Sequence, residues 1–379
     1  MDRIITKYLR QRRENGPWEL SPKPSKSLYD SFIVIPAYSE FESLPKTLNC
    51  ISEQSFKLLE NTLVVVVVNN KKEIDKPDFQ NNQDTLTYLQ NTKFKFEVSV
   101  IDASSQGLVL PEKFAGVGLA RKIGMDLCLP LSNPDSFLCC TDADTLLSPN
   151  YLNTIHKYFA NHKCQSAVVG FEHQKSDNPE IESAIRAYEN FLKTTAEKTR
   201  QAGSPYGYHA IGSTIVCSAK AYIAVGGMSR KKATEDFYFL QELAKYSKVH
   251  TIEDILVFPS SRPSNRIYLG TGFRMNQAQS GYDLKQLNYS DDAFVILKKW
   301  LKLGQNSFKS SLEFVLEKAN NIHIDFKDFL IQEGISNVWG GIQKSSPTEI
   351  HFQKQFHRWF DALKTIRLLK IFSQNNTIE

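Results

Sequence analysis

Two aliphatic runs constrain the fold more than any other feature of the chain. Leu63 to Val68 reads Leu-Val-Val-Val-Val-Val, and Phe32 to Ile35 reads Phe-Ile-Val-Ile before Pro36. A strand with one face in water alternates apolar and polar residues; a strand covered on both faces need not. β-Branched side chains are stiff at χ1 and suit strand better than helix. Both runs therefore predict buried strands of a mostly parallel sheet flanked by helices. Phe96 to Ile101 adds a third strand, stopped by Asp102, and Ser136 to Cys140 a fourth, which ends at Thr141-Asp142-Ala143-Asp144. Between them, residues 41–57 carry Leu44, Leu48, Ile51 and Phe56 at helical spacing. Residues 116–128 open with Gly116-Val117-Gly118 and continue with a helical period, while the polar stretch 71–84 reads as a loop. Strand alternating with helix gives the α/β class.

The second half is less regular. Residues 180–200 read as a long amphipathic helix, Ser213 to Cys217 and Ala221 to Ile223 as strand-like, 235–246 as a helix, and everything from about 283 onward as helical. Residues 1–30 are basic, then rich in Pro and Ser, and read as an N-terminal arm and linker. The expected organisation is an arm at 1–30, an α/β body at 31–280 divided into halves at 31–145 and 146–280, and a helical C-terminal region at 281–379. A chain of 379 residues suits that division at roughly 100–200 residues per domain.

Composition excludes several function classes. The net charge of +5, from 46 basic and 41 acidic residues, is too small to imply nucleic acid, and it leaves room for anionic substrates or a membrane surface. The six cysteines show no C-x-x-C pair and no zinc-like Cys/His cluster; Cys139 and Cys140 sit in an apolar run as small core residues. Reduced thiols point to the cytoplasm. Met1 to Arg13 has no apolar core of the signal-peptide kind. The Leu63 to Val68 run is far short of the roughly 18 residues that span a bilayer. The chain is expected to be soluble or at most peripheral.

In parallel sheets ligands bind beyond the carboxyl ends of the strands. Polar residues fall at three such ends: Glu40, Asn69, and the pair Asp142 and Asp144. An Asp-x-Asp after a buried strand offers two hard oxygen ligands for Mg²⁺ or Mn²⁺ beside substrate phosphates; a strand-ending turn that uses aspartates for backbone hydrogen bonds is the plainer alternative. Gly116-x-Gly118-x-x-Arg121 at a helix start suits a phosphate, with Arg121 facing a diphosphate or simply lying on the helix surface. Arg121 stands where a dinucleotide fingerprint needs its third glycine, so NAD is not expected. Glu235-Asp236 opens a helix, where acids complement the dipole and where a carboxylate is also placed to act as a general base. Ser260 to Arg274 mixes arginines with Gly270-Thr271-Gly272 and reads either as a phosphate-gripping loop or as a solvated basic one.

Taken in order, these segments resemble family 2 glycosyltransferases of the GT-A fold. Pro36-Ala37-Tyr38-Ser39-Glu40 is similar to that family's P-A-Y-N-E segment, and Gly118 to Gly124 to its G-x-A-R-N-x-G helix start. Asp142-Ala143-Asp144 is similar to its D-x-D, and Gly226-Gly227 followed by Glu235-Asp236 to its G-G…E-D motif. The resemblance covers about residues 31–275. It implies a GT-A type sheet with a helical C-terminal extension and the transfer of a sugar from a nucleotide-diphospho-sugar to a carbohydrate or lipid-linked acceptor, largely with inversion. It further implies a donor site formed by Pro36, Tyr38, Glu40, Asn69, Arg121 and Asp142. Asp142 and Asp144 would hold Mg²⁺ or Mn²⁺, and Asp236 would be the base. Ser39 and Lys122 depart from the family's Asn, and Asn69 from its more common Asp. No Q-x-x-R-W segment of the processive synthases is present.

Two other readings compete. A non-catalytic nucleotide-sugar-binding scaffold of the same fold is opposed by the joint presence of Asp142, Asp144 and Asp236. A sugar nucleotidyltransferase would carry a Gly-rich loop after the first strand, where this chain has Pro36 to Glu40. At the C-terminus, Phe352, Phe356, Trp359, Phe360, Leu363 and Ile366 follow helical spacing beside five basic residues. Such a helix suits peripheral contact with an anionic membrane at the inner face, or packing on the catalytic domain or a partner subunit.

Overall fold

The computed structural model describes residues 2–374 apart from 265, 267 and 268. The chain divides into two compact units, residues 1–186 with 210–282 and residues 187–209 with 283–379. In chain order the first unit contains α1 (Arg3–Arg12), β1 (Ser31–Ala37), α2 (Leu44–Ser52), α3 (Phe56–Leu59), β2 (Thr62–Asn69), α4 (Lys76–Asn91), β3 (Glu97–Ala103), α5 (Val117–Cys128), β4 (Phe137–Cys140), β5 (Leu146–Leu147), α6 (Tyr151–His162) and β6 (Ser166–Phe171). After α7 (Pro179–Gln201), whose residues belong to both units, it resumes with β7 (Ile215–Ser218), α8 (Ala219–Ala224), α9 (Glu235–Tyr246), β8 (Val249–Phe258) and α10 (Thr271–Gln279).

The sheet order is β3-β2-β1-β4-β7-β6-β8-β5. The four strands β3, β2, β1 and β4 are mutually parallel, β7 is antiparallel to both of its neighbours, and β8 is parallel to β6. Every residue of β1 and β2 is buried, as the uninterrupted aliphatic runs require. Because β1, β2 and β4 run in one direction, Glu40, Asn69 and Asp142 emerge at one edge of the sheet. This is the α/β architecture expected, with helices continuing to Gln374.

Four local expectations need correction. Residues 71–84 are not a loop throughout, because α4 begins at Lys76 with Pro77 in its first turn. Its first turns look loop-like in sequence because Asp78, Asn81 and Asn82 are used as hydrogen-bonding groups rather than as core. Ala221 to Ile223 is helical, in α8, capped by Ser218, whose Oγ accepts from the Ala221 N–H at 3.0 Å. The long strands β6 and β8 are absent from the sequence reading. Glu253 and Asp254 interrupt the apolar pattern of β8 where a register irregularity falls opposite Val169 and Gly170. The N-terminal stretch is not a free arm. Ile5, Tyr8, Trp18 and Tyr29 are buried, Trp18 donates to the Leu108 carbonyl at 2.7 Å, and Ser21 pairs with Val100 of β3.

The second unit is helical, with α11 (Asp291–Gln305), α12 (Leu312–Asn320), α13 (Phe326–Gln332), α14 (Ile335–Ser345), α15 (Glu349–Trp359) and α16 (Ala362–Gln374). Trp300 is the hub of its aromatic core, with Phe326, Phe356 and Phe360 edge-on at centroid distances of 5.4–5.6 Å. This corrects the membrane reading of the C-terminal helix. The stretch is two helices, and its stripe of Phe352, Phe356 and Phe360 is fully buried in that core, leaving Ile366 exposed. A face committed to a core is not available to lipid. No described helix is long and apolar enough to cross a membrane.

Phe356→Ala is therefore expected to destabilise the second unit by about 3–5 kcal/mol. Ile350→Ala on the same helix, at a side chain 70% exposed, should change stability by no more than about 0.5 kcal/mol. Urea unfolding followed by tryptophan fluorescence measures both.

Candidate active site

The turn after β1 is built by α4. Asp78 accepts from Tyr38 Oη at 2.8 Å and from Ser39 Oγ at 2.6 Å, Asn82 accepts from the Ser39 N–H at 2.9 Å, and Asn81 from the Phe41 N–H at 3.0 Å. Ser39 sits at φ 55°, a left-handed conformation that a side chain tolerates best when it bonds locally. Burial, and then the Asp78 contact, push the Tyr38 phenol up to about 12, so it remains a neutral donor. Pro36 is buried within β1 and contributes no polar side-chain group. Asn69 is also buried. Its amide donates to the Ala37 and Val67 carbonyls at 3.1 Å, knitting the ends of β1 and β2 together.

Glu40 emerges from this turn beneath two arginines. Its Oε1 accepts from Arg262 and from Arg266 Nη1, the latter at 2.6 Å, while Oε2 is buried without a hydrogen-bond partner among the described residues. Arg262 also reaches Asp144 Oδ2 at 3.0 Å. Burial, and after it the Glu40 charge, raise the Asp144 carboxyl, and Arg262 draws it back down.

The Asp142-Ala143-Asp144 turn is held from two sides. Thr47 of α2 donates to the Ala143 carbonyl at 2.9 Å. Gln174, beyond β6, donates to the Asp144 carbonyl at 2.7 Å and to the Phe258 carbonyl at 2.8 Å. At the other end of the turn Asp142 Oδ1 pairs with Arg121 Nη2, and Arg121 Nη1 pairs with Glu235 Oε1. Arg121 is only 2% exposed. Asp236 follows Glu235 in the first turn of α9, where its Oδ1 accepts from the Phe237 N–H at 2.7 Å. Burial raises the Asp236 carboxyl, against the pull of Arg121.

Asp142, Asp144, Glu40, Glu235 and Asp236 are thus brought into one acidic region threaded by Arg121, Arg262 and Arg266. Pro36 and Asn69 serve its framework. Arg121 needs correction, because its guanidinium is taken by two carboxylates rather than offered to a diphosphate. The glycines ahead of it are not an open phosphate cradle either. A Cβ on Gly118 would lie 2.3 Å from the Lys231 carbonyl, and one on Gly116 2.9 Å from Lys232 Cα. The chain at 229–232 fills that space. Thr47, Gln174, Asp78, Asn81 and Asn82 were missed, because nothing local in sequence marks a polar residue whose partner is a distant turn. Arg262 and Arg266 were marked only as parts of a basic segment.

The residues fit a divalent cation of the kind that takes one or two carboxylates and completes its shell with phosphates and water. Asp142 Oδ2 and Asp144 Oδ1 make no hydrogen bond or ion pair within the described residues. No group of three or more His, Cys, Asp or Glu poised for a metal occurs among those residues.

Residues 32–223, just over half the chain, match Glycosyl transferase family 2. No curated protein matches. Among solved structures, S. aureus TarS 1–349 in complex with UDP-GlcNAc is similar at 13% identity and TM-score 0.45, over 91% of this chain and 92% of that one. The mannosyltransferase PcManGT from Pyrobaculum calidifontis, in complex with GDP-Man and Mn²⁺, is similar at 12% identity and TM-score 0.40, over 93% of this chain and 92% of that one. Likeness this loose says nothing about the ligands of this chain.

Arg121→Ala is expected to cost about 3–5 kcal/mol, since it leaves buried carboxylates without their counter-charge. Arg262→Ala, at a partly exposed side chain, should cost about 1 kcal/mol or less. Chemical unfolding of the two variants checks the contrast.

Proposed function

The chain belongs to glycosyl transferase family 2 and is a glycosyltransferase; we propose that it moves a sugar from a nucleotide-diphospho-sugar to an acceptor hydroxyl, with inversion and with a divalent cation. The observation that carries this reading is the Arg121 fork. It ties Asp142, at the donor end of the sheet, to Glu235, the neighbour of Asp236. Donor-side and acceptor-side acids 93 residues apart in sequence are thereby held beside one another.

Asp142 and Asp144 would hold Mg²⁺ or Mn²⁺, which when bound neutralises charge on the departing nucleoside diphosphate. Asp236 takes the proton of the acceptor hydroxyl as its oxygen forms the bond to the anomeric carbon. The bond from that carbon to the β-phosphate oxygen breaks on the opposite face. Burial raises the proton affinity of Asp236, which favours such a transfer over that of an ordinary surface carboxylate. Glu40 Oε2, buried without a hydrogen-bond partner among the described residues, is an acceptor available to a nucleoside N–H or hydroxyl. Arg262 and Arg266 present planar donor forks suited to phosphate oxygens, and they would exchange carboxylates for the diphosphate as the donor enters. All of these residues lie within 31–280, which we take as the transferase body. The six cysteines are free, in keeping with a cytoplasmic setting.

Calorimetric titration with UDP and with GDP, with and without Mn²⁺, tests the donor site. One nucleotide should bind in a metal-dependent way. Asp144→Ala should weaken that binding at least about tenfold, the equivalent of about 1.4 kcal/mol. Asp236→Asn should leave it intact while turnover falls by about 10²–10⁴-fold. Full activity in both variants would overturn the assignment, and nucleotide binding without turnover in the unmodified protein would favour the scaffold reading.

A further inference from the structure

We propose that Tyr8, in the N-terminal helix ahead of the family-matched region, is a positioning residue for the loop that delivers Asp236. The inference rests on Asp236 as the base.

Tyr8 is buried, although α1 is otherwise mostly exposed. Its hydroxyl donates to Asp126 Oδ1 at 2.8 Å and accepts from Lys122 Nζ at 3.0 Å. Tyr222 of α8 donates to the same Oδ1 at 2.8 Å, while Lys122 Nζ and the Glu14 N–H donate to Oδ2, each at 2.9 Å. Asp126 is 1% exposed, and both of its oxygens are satisfied twice over. A buried charge with this many partners fixes the groups around it. Three elements, α1, α5 and α8, are joined at one carboxylate.

The loop in question starts at that point. Gly226 and Gly227 follow α8 at φ 85° and 83°. Tyr8 Oη lies 3.5 Å from the Gly226 carbonyl, and a Cβ on Gly227 would come within 2.0 Å of it. The turn is pressed against the phenol. The chain then crosses the start of α5, where the Ser229 and Lys231 carbonyls close over Gly118, and reaches Thr234, Glu235 and Asp236. A second grip comes from Glu14, whose carboxylate lies 3.6 Å from Arg230 Nη1. The N-terminal segment therefore holds the loop at its origin and again at residue 230, while Arg121 holds its far end through Glu235. Between Gly226 and Glu235 the loop is also held where Arg230 lies over the Phe114 ring at 4.3 Å and where Lys232 Nζ lies 3.8 Å from Glu112, so the two N-terminal grips act beside these contacts.

Tyr8→Phe keeps the ring and removes one hydroxyl. Glu14→Gln breaks the second grip without touching the buried network, because Glu14 meets Asp126 through its backbone. Hydrogen exchange of the intact protein reads the loop without relying on activity. In both variants, amides of 228–236 should exchange about tenfold faster, while those of β1 and β2 should not change. Nucleoside diphosphate affinity should stay within about twofold, and kcat per nucleotide-binding site should fall about tenfold, since a misplacement of about 1 Å can cost about a hundredfold. Unchanged loop exchange, equal acceleration in β1 and β2, or an unchanged kcat per binding site would each overturn the proposal. Asp236→Asn, assayed in parallel for release of UDP or GDP from the corresponding sugar nucleotide, separates the two failures. If that variant still turns over, the base assignment falls. If it is inactive while Tyr8→Phe behaves like the parent, only the clamp falls.

Discussion

A buried guanidinium is tolerable only with its charge met, and the arrangement of this site follows from how Arg121 meets that condition. It projects from α5 into the space between the end of β4 and the start of α9 and takes one carboxylate from each. The fork is planar and wide enough for two partners, a geometry that lysine lacks. Accommodating it requires Gly212, whose Cβ would otherwise lie 2.3 Å from Arg121 Nη2. Closing the 229–235 chain over α5 requires Gly118. The glycines and the arginine act together to bring two sequence-distant acidic motifs side by side, and that is a packing role rather than a ligand-binding one.

The charge balance follows. Five carboxylates, Glu40, Asp142, Asp144, Glu235 and Asp236, share the region with three guanidiniums, those of Arg121, Arg262 and Arg266. The acids outnumber the guanidiniums by two. The three arginines differ in what they can give up. Arg121 is enclosed and cannot leave without stranding its partners. Arg262 and Arg266 have side chains 39% and 41% exposed, so water can replace their contacts at modest cost. The one interior arginine is scaffold, and the two at the rim are the more readily displaced.

The legible part of the chain was the part that obeys a single local rule. β1, β2 and β4 are continuous apolar runs because both of their faces are covered, and the polar residues that end them mark the ligand edge. α4 was illegible because its first turns use Asp78, Asn81 and Asn82 to hold another loop, which makes a helix look like polar coil. β8 was obscured by Glu253 and Asp254 at an irregular register. The N-terminal segment was misread as an arm because basic, exposed residues outnumber its two helical anchors, Ile5 and Tyr8. In the site, the acids were legible by position, whereas their holders, Thr47 and Gln174, act through backbone carbonyls and leave no pattern.

The two departures from the family pattern with the clearest structural consequence are Ser39 and Lys122, and each has a partner supplied by another part of the chain. Ser39 occupies a left-handed position that suits asparagine, and its hydroxyl compensates by donating to Asp78. Lys122 brings a charge into the interior where the family has a neutral amide. That charge is met one turn along the same helix by Asp126, whose remaining lone pairs are taken by Tyr222, by the Glu14 N–H and by Tyr8. A lysine at 122 without Asp126 would be an unpaired buried cation. Asp126 without the N-terminal segment would lose two of its four donors, the Tyr8 hydroxyl and the Glu14 N–H. Lys122 and the docked N-terminal helix are therefore joined in one buried network through Asp126 and Tyr8.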